Sequence, residues 1–320
     1  MRDLVAETQL DVRQLVAPLF VREGITEPQP IASLPGVLQH TRASLRQEVR
    51  ELADLGVRAV ILFGVPAVKD PLGSGAFDPE GIVQLALADL AAEVGDSMVL
   101  MADLCVDEYT SHGHCGVLDG PAGDVHTSVD NDATLEIYGR IAVAQARAGA
   151  HVVAPSGMMD GQVGAIRAAL DGAGFADTAI LAYSAKYASG LYGPFRDAVD
   201  CAIVGAGDRK AYQQDWRNAR EAMVEIEADL AQGADMVMVK PALSYLDIIA
   251  AVKARVDVPV AAYHVSGEYS MIKAAAANGW IDHDSVATEQ LTAIKRAGAD
   301  IILTYLTRWF AETAAGKPIA

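Results

Sequence analysis

The feature that most constrains this chain is a recurrence. A short apolar run, a polar or Gly/Pro break and a longer stretch of helical periodicity follow one another eight times from end to end. The apolar runs predict strands over 17–21, 59–63, 98–102, 151–154, 179–183, 236–239, 258–263 and 300–304. The intervening segments, rich in Ala, Leu, Glu and Arg, predict helices over 44–55, 79–94, 134–148, 162–170, 215–231 and 245–253. Gly56, Gly149, Gly233 and Gly298 each stand just before a strand, where glycine can take the left-handed turn that stops a helix. Eight strand-helix units without a linker or a shift in composition predict an α/β protein, a closed (β/α)8 TIM barrel, with an open doubly wound sheet as the alternative. The 320 residues would allow two domains by length, but such barrels run this long as one. The expected division is a short N-terminal arm, 1–16, and a single barrel domain, 17–320.

In such a barrel the active site lies where strands end and helices begin. The polar residues just past the predicted strands are Arg22 and Glu23, Asp103 and Cys105, Ser156, Ser184 and Lys186, Lys240, His264 and Ser266, and Tyr305. Two of them are lysines. Lys240 closes the apolar run Met-Val-Met-Val-Lys-Pro, and Lys186 ends Leu-Ala-Tyr-Ser-Ala-Lys. A buried ammonium is costly, so a lysine there is driven toward its neutral form, a nucleophile for carbonyl groups.

Composition narrows the partners. The chain has 42 acidic and 25 basic residues, a net charge of −17, which disfavours nucleic acid and anionic lipid. Nothing approaches the ~20 continuous apolar residues of a membrane span, and the first residues lack the apolar core of a signal peptide, so a cytoplasmic protein is expected. Cys105, Cys115 and Cys201 read as reduced thiols. Within 105–115 stand Cys105, Asp107, His112, His114 and Cys115, enough donors to surround one zinc or a harder divalent ion.

Taken in order, the segments TSHGHCG, APSGMMDG, YSAKYAS, YGPFRDA, GDRKAYQ, MVMVKPA, YHVSGEYSM and ILTY resemble the porphobilinogen synthase (5-aminolevulinate dehydratase) family over nearly the whole chain. The resemblance implies condensation of two 5-aminolevulinate molecules to porphobilinogen, with loss of two waters, in tetrapyrrole (heme) biosynthesis. It implies that Lys240 binds the first substrate as a Schiff base and that Lys186 engages the second. By the same match Arg196 and Arg209, helped by Gln213, hold one substrate carboxylate, Ser266 and Tyr305 hold the other, and Asp103 stands among the substrate-binding residues. The segment 186–213 reads as a lid. A loop metal, zinc or magnesium, would sit on Cys105, Asp107 and Cys115, and Glu225 falls where some members bind an allosteric magnesium. Octamers are the family expectation, while the short arm makes a hexamer more plausible.

Two positions depart from the family. Asp107 stands where zinc-using members carry a cysteine, which hardens the site. Gly157 stands where an aspartate is usual, removing a carboxylate that Ser156 or Asp103 would have to replace. The competing readings are a class I Schiff-base aldolase, which needs only one such lysine and no cysteine loop, and a catalytically inactive metal-binding barrel.

Overall fold

The computed structural model describes residues 1–204 and 208–316. Gly207 of the GDRKAYQ segment, with its two preceding lid positions, and the last four residues of the expected barrel domain lie outside the described residues.

Ten strands form one sheet: β1 (Leu15–Arg22), β2 (Gln29–Pro30), β3 (Leu38–His40), β4 (Ala59–Val65), β5 (Val99–Leu104), β6 (Val152–Pro155), β7 (Ala179–Lys186), β8 (Met236–Lys240), β9 (Val260–His264) and β10 (Ile301–Thr304). The helices are α1 (Arg42–Asp54), α2 (Ile82–Val94), α3 (Asn131–Arg147), α4 (Gln162–Gly172), α5 (Gly193–Ala198), α6 (Arg220–Ala231), α7 (Leu246–Lys253), α8 (Ser266–Ala277), α9 (His283–Ala297) and α10 (Thr307–Gly316). Strands β1 and β4 to β10 pair in sequence order, every pair parallel, and Leu15 and Val16 pair with Ile302 and Leu303 to close the ring. This is the closed barrel; the open sheet is ruled out by the β1–β10 pairing. A parallel sheet covered by helices is buried on both faces, which is why β4, Ala-Val-Ile-Leu-Phe-Gly-Val, is apolar and buried throughout.

All eight predicted strands are present, with shifted ends. β1 begins at Leu15, inside the expected arm. β7 runs on to Lys186, past the expected end at 183, because Ser184 and Lys186 break the apolar run without breaking the strand. The helix expected from 215 starts at Arg220, since the Asp215 carboxylate accepts from the Arg217 amide at 2.9 Å and holds a turn there. Helices α5, α8, α9 and α10 lie outside the predicted helical segments, and β2 and β3 form an unexpected appendage on β1.

The four stop glycines behave as their position implies, with φ of 91° at Gly56, 106° at Gly149, 101° at Gly233 and 120° at Gly298. A Cβ at Gly298 would also lie 2.8 Å from Lys253 Cβ. Gly298→Ala is therefore expected to lose about 1–3 kcal/mol by urea unfolding, whereas Gly172→Ala, with open space and an ordinary φ, stays within about 0.5 kcal/mol of the parent. Equal stabilities for the two would contradict the assigned turn.

Candidate active site

The site is organised by an irregularity between β7 and β8. Ala182 pairs with Val237, but Ala185 pairs with Val239 and Lys186 with Lys240. Two residues of β7, Tyr183 and Ser184, thus face one residue of β8, Met238, the pattern of a bulge. Had the earlier register continued, Lys186 would have met Pro241. The extra residue instead sets the two lysines side by side on adjacent strands, which lie about 4.8 Å apart in a sheet.

Both amines are buried, with Lys186 5% and Lys240 6% exposed. Lys186 Nζ donates to the Ser156 carbonyl oxygen. Lys240 Nζ lies among four rings, 4.5 Å from the centre of Tyr263, 4.9 Å from Tyr183, 5.3 Å from Tyr192 and 5.4 Å from Phe195. Ring faces favour an ammonium by about 0.5–2 kcal/mol, but burial opposes it more strongly. Burial, reinforced by the like charge of Lys186, lowers Lys240 to about 7 against the opposing pull of Asp103, Asp107 and Glu108. Burial likewise raises Asp103 to about 6, although Lys186 and Lys240 pull it down. The Ser156 hydroxyl donates to Asp103 Oδ2 at 3.0 Å, and Oδ1 has no hydrogen-bond partner. A carboxyl able to hold or release a proton near neutrality therefore lies beside two amines.

The loop after β5 brings Cys105, Asp107 and Cys115 together, all buried, with one ligand atom from each within 4.8 Å of the others. His112 and His114 are not in this set among the described residues. His112 Nε2 contacts the Pro71 carbonyl at 3.1 Å, and His114 Nδ1 contacts the Tyr212 hydroxyl at 3.1 Å. Asp107 also forms a 2.8 Å ion pair with Arg209, which donates to the Gly113 carbonyl oxygen at 2.8 Å. Burial would raise the Asp107 carboxyl, but Arg209 and Lys186 outweigh it and hold it well below the carboxylate range. The donor set fits a divalent cation: two thiolates and a carboxylate carry three negative charges, and a divalent ion with Arg209 would neutralise them.

The other predicted residues divide by location. Arg196, Arg209 and Gln213 line a cavity of about 400 Å³ with Ser189, Lys210 and Trp216. Arg196 Nε, Arg209 Nε and Gln213 Nε2 are buried donors without partners, a donor set that suits an anion. Ser266 Oγ accepts from the Phe195 amide at 3.0 Å, and Tyr305 lies 3.3 Å from the Tyr263 hydroxyl, so both flank the aromatic surround of Lys240. Glu225 stands apart, in a different cavity of about 400 Å³ with Asn131, Asp160 and Glu221. The segment 186–213 carries α5, and its Tyr192 and Phe195 rings lie beside Lys240. An apolar cavity of about 700 Å³ between α2, α3 and α4 touches none of these residues.

Residues 1–313 match the family described as Delta-aminolevulinic acid dehydratase. The Streptomyces coelicolor protein of that name is 59% identical over 316 residues, 98% of this chain and 93% of its own length. The Mycobacterium tuberculosis protein (strain H37Rv) is 58% identical over 316 residues, with the same coverage. The chain belongs to the delta-aminolevulinic acid dehydratase family. The Toxoplasma gondii ME49 member, solved in complex with its reaction product porphobilinogen, superposes with a TM-score of 0.93 at 43% identity, covering 97% of this chain and 87% of that one. Membership in this dehydratase family sets aside the aldolase reading and makes the chain a lyase.

Sequence reasoning missed the dehydratase's aromatic surround and the buried Glu108, which burial and the neighbouring Asp107 and Asp103 hold well above the carboxylate range. Tyr183 and Tyr263 close predicted strands, whereas Tyr192, Phe195 and Glu108 fall in segments outside them. The Asp107–Arg209 pair yields the prediction here. Asp107→Asn leaves a buried guanidinium unpaired and should lower stability to urea by about 3–5 kcal/mol, with part of the loss recovered in Asp107→Asn/Arg209→Gln. A stable single variant would show that the pair is not formed in solution.

Proposed function

We propose that the protein condenses two molecules of 5-aminolevulinate to porphobilinogen and two waters, with Lys240 and Lys186 as the Schiff-base residues. The observation that carries this reading is the pairing of Lys186 with Lys240 across β7 and β8. Two ketone substrates need two amines within reach of one another, and one reactive lysine would hold only one of them.

Each amine, in its unprotonated form, attacks a ketone carbon and expels one water, leaving an imine. Once protonated, that imine draws electrons from its neighbouring carbon, so that one substrate becomes a carbon nucleophile and the other stays electrophilic. Asp103 carries the protons in this proposal, a role supported by the field of both lysines and its hydrogen bond from Ser156. In this proposal Arg196, Arg209 and Gln213 take one substrate carboxylate through their unpartnered donors. Ser266 and Tyr305 orient the other from the far side of the aromatic surround. The lid residues Tyr192 and Phe195 exclude water from the imines.

Cys105, Asp107 and Cys115 would hold the loop metal, for which we propose zinc bound more weakly than by three thiolates; the bound ion would supply Lewis-acid polarisation of a substrate oxygen or amine. Glu225 is proposed as a separate magnesium position, and the protein as a homo-oligomer, a hexamer or octamer, acting in the cytoplasm as one barrel domain with a short arm. Among the described residues no helix is long and apolar enough to cross a membrane.

Borohydride added with aminolevulinate should label Lys240, and Lys186 less completely, by peptide mapping; label on neither lysine would remove the mechanism. Lys240→Met should fold and yield no detectable porphobilinogen. Turnover should fall as pH drops through about 7, because Lys240, lowered to about 7, then gains the proton that blocks its lone pair. An acid limb near the ordinary lysine value of about 10 would contradict the neutral amine.

Metal dependence gives a second test. Chelator should lower turnover partly, added zinc should restore it, and Asp107→Cys should make the enzyme both tighter for zinc and more sensitive to chelator. Glu225→Ala should remove any magnesium stimulation and leave the zinc response unchanged. An Asp107→Cys protein that binds zinc no better than its parent would mean that the loop is not a metal site.

A further inference from the structure

Gly157 is a glycine for reasons of space. Its φ lies outside the left-handed region that calls for glycine. A Cβ built there would instead stand 1.7 Å from the Tyr138 hydroxyl oxygen and 2.6 Å from Tyr138 Cζ, distances that no side chain can occupy. Tyr138 comes from α3 and is fully buried. Its hydroxyl donates to the Cys115 carbonyl oxygen at 2.6 Å and lies 3.6 Å from Cys105 Sγ. The Cys115 amide donates on its other side to the Tyr212 hydroxyl at 3.3 Å. The peptide of one thiol ligand is thus held from both ends, and Tyr138 also backs the sulfur of the other.

We propose that Tyr138 is a positioning residue for the Cys105, Asp107 and Cys115 site, its hydroxyl filling the volume that a side chain at 157 would take. Tyr138 and Gly157 act as one unit: the hydroxyl reaches the cysteines only because residue 157 has no Cβ. The inference rests on the metal reading given above. A buried phenol finds a partner for its proton, and here that partner is the backbone of a ligand, so the hydroxyl fixes where the Cys115 sulfur points. Partners of this kind typically change metal affinity by about 10–100-fold when removed.

The test is titration of the full-length protein with cobalt(II) alone, read by the near-ultraviolet thiolate-to-cobalt absorption, which reports the ligands and needs no turnover. Tyr138→Phe keeps the ring and the fold and is expected to weaken cobalt about tenfold. Gly157→Ala should cause a similar loss in the parent by displacing the hydroxyl, yet add less than about twofold in a Tyr138→Leu background, where the hydroxyl is already absent and the space is open. That non-additivity separates coupling from general damage. Parent-like affinity in Tyr138→Phe, or additive losses from 138 and 157, would overturn the proposal while leaving the metal reading intact. No thiolate absorption in the parent would overturn the metal reading and this proposal together.

Discussion

One extra residue in a strand governs this molecule's chemistry. Between Ala182 and Ala185, β7 carries two residues against one on β8, and the register that results sets Lys186 opposite Lys240. Without the bulge, one lysine would face a proline and the two amines would not meet. With it, two amines share a buried space, and the charge of Lys186 disfavours that of Lys240. The barrel is needed to hold that register, since parallel pairing on both sides of β7 and β8 leaves neither strand free to slip.

The surrounding charges follow from the same crowding. A site that lowers a lysine must not collect enough carboxylates to restore its proton, and the acids near Lys240 are each disposed of in a different way. Asp107 is paired with Arg209, Asp103 is raised by burial and bound by Ser156, and Glu108 is raised further. Arg209 joins two parts of the site, since it belongs to the lid segment and also closes on a proposed metal ligand. One guanidinium therefore ties the 186–213 segment to the loop after β5.

Much of this was legible in the sequence. Parallel strands buried on both faces leave continuous apolar runs, and the eight runs gave the barrel and hence the face on which Lys186 and Lys240 had to lie. The bulge was not legible, because an apolar run carries no information about its partner's register. The end of β7 is hidden for a related reason, since Ser184 and Lys186 look like loop in a strand whose polar residues face an active site. The Asp107–Arg209 pair joins segments distant in the chain, and charge type alone does not choose partners. Gly157 could be seen as a departure, but its cause sits on α3, where Tyr138 reads as one more core residue of a helix.

The central claim is that register pairing with Lys186 helps keep Lys240 a neutral amine. The direct measurement is a nitrogen-15 NMR titration of the Lys240 side chain, in the parent and in Lys186→Met, which removes the like charge and keeps the bulk. The account predicts a midpoint near 7 in the parent, as burial and Lys186 together require, and an upward shift in the variant. A parent midpoint near the ordinary lysine value of about 10, or one that does not move when Lys186 is replaced, would contradict it.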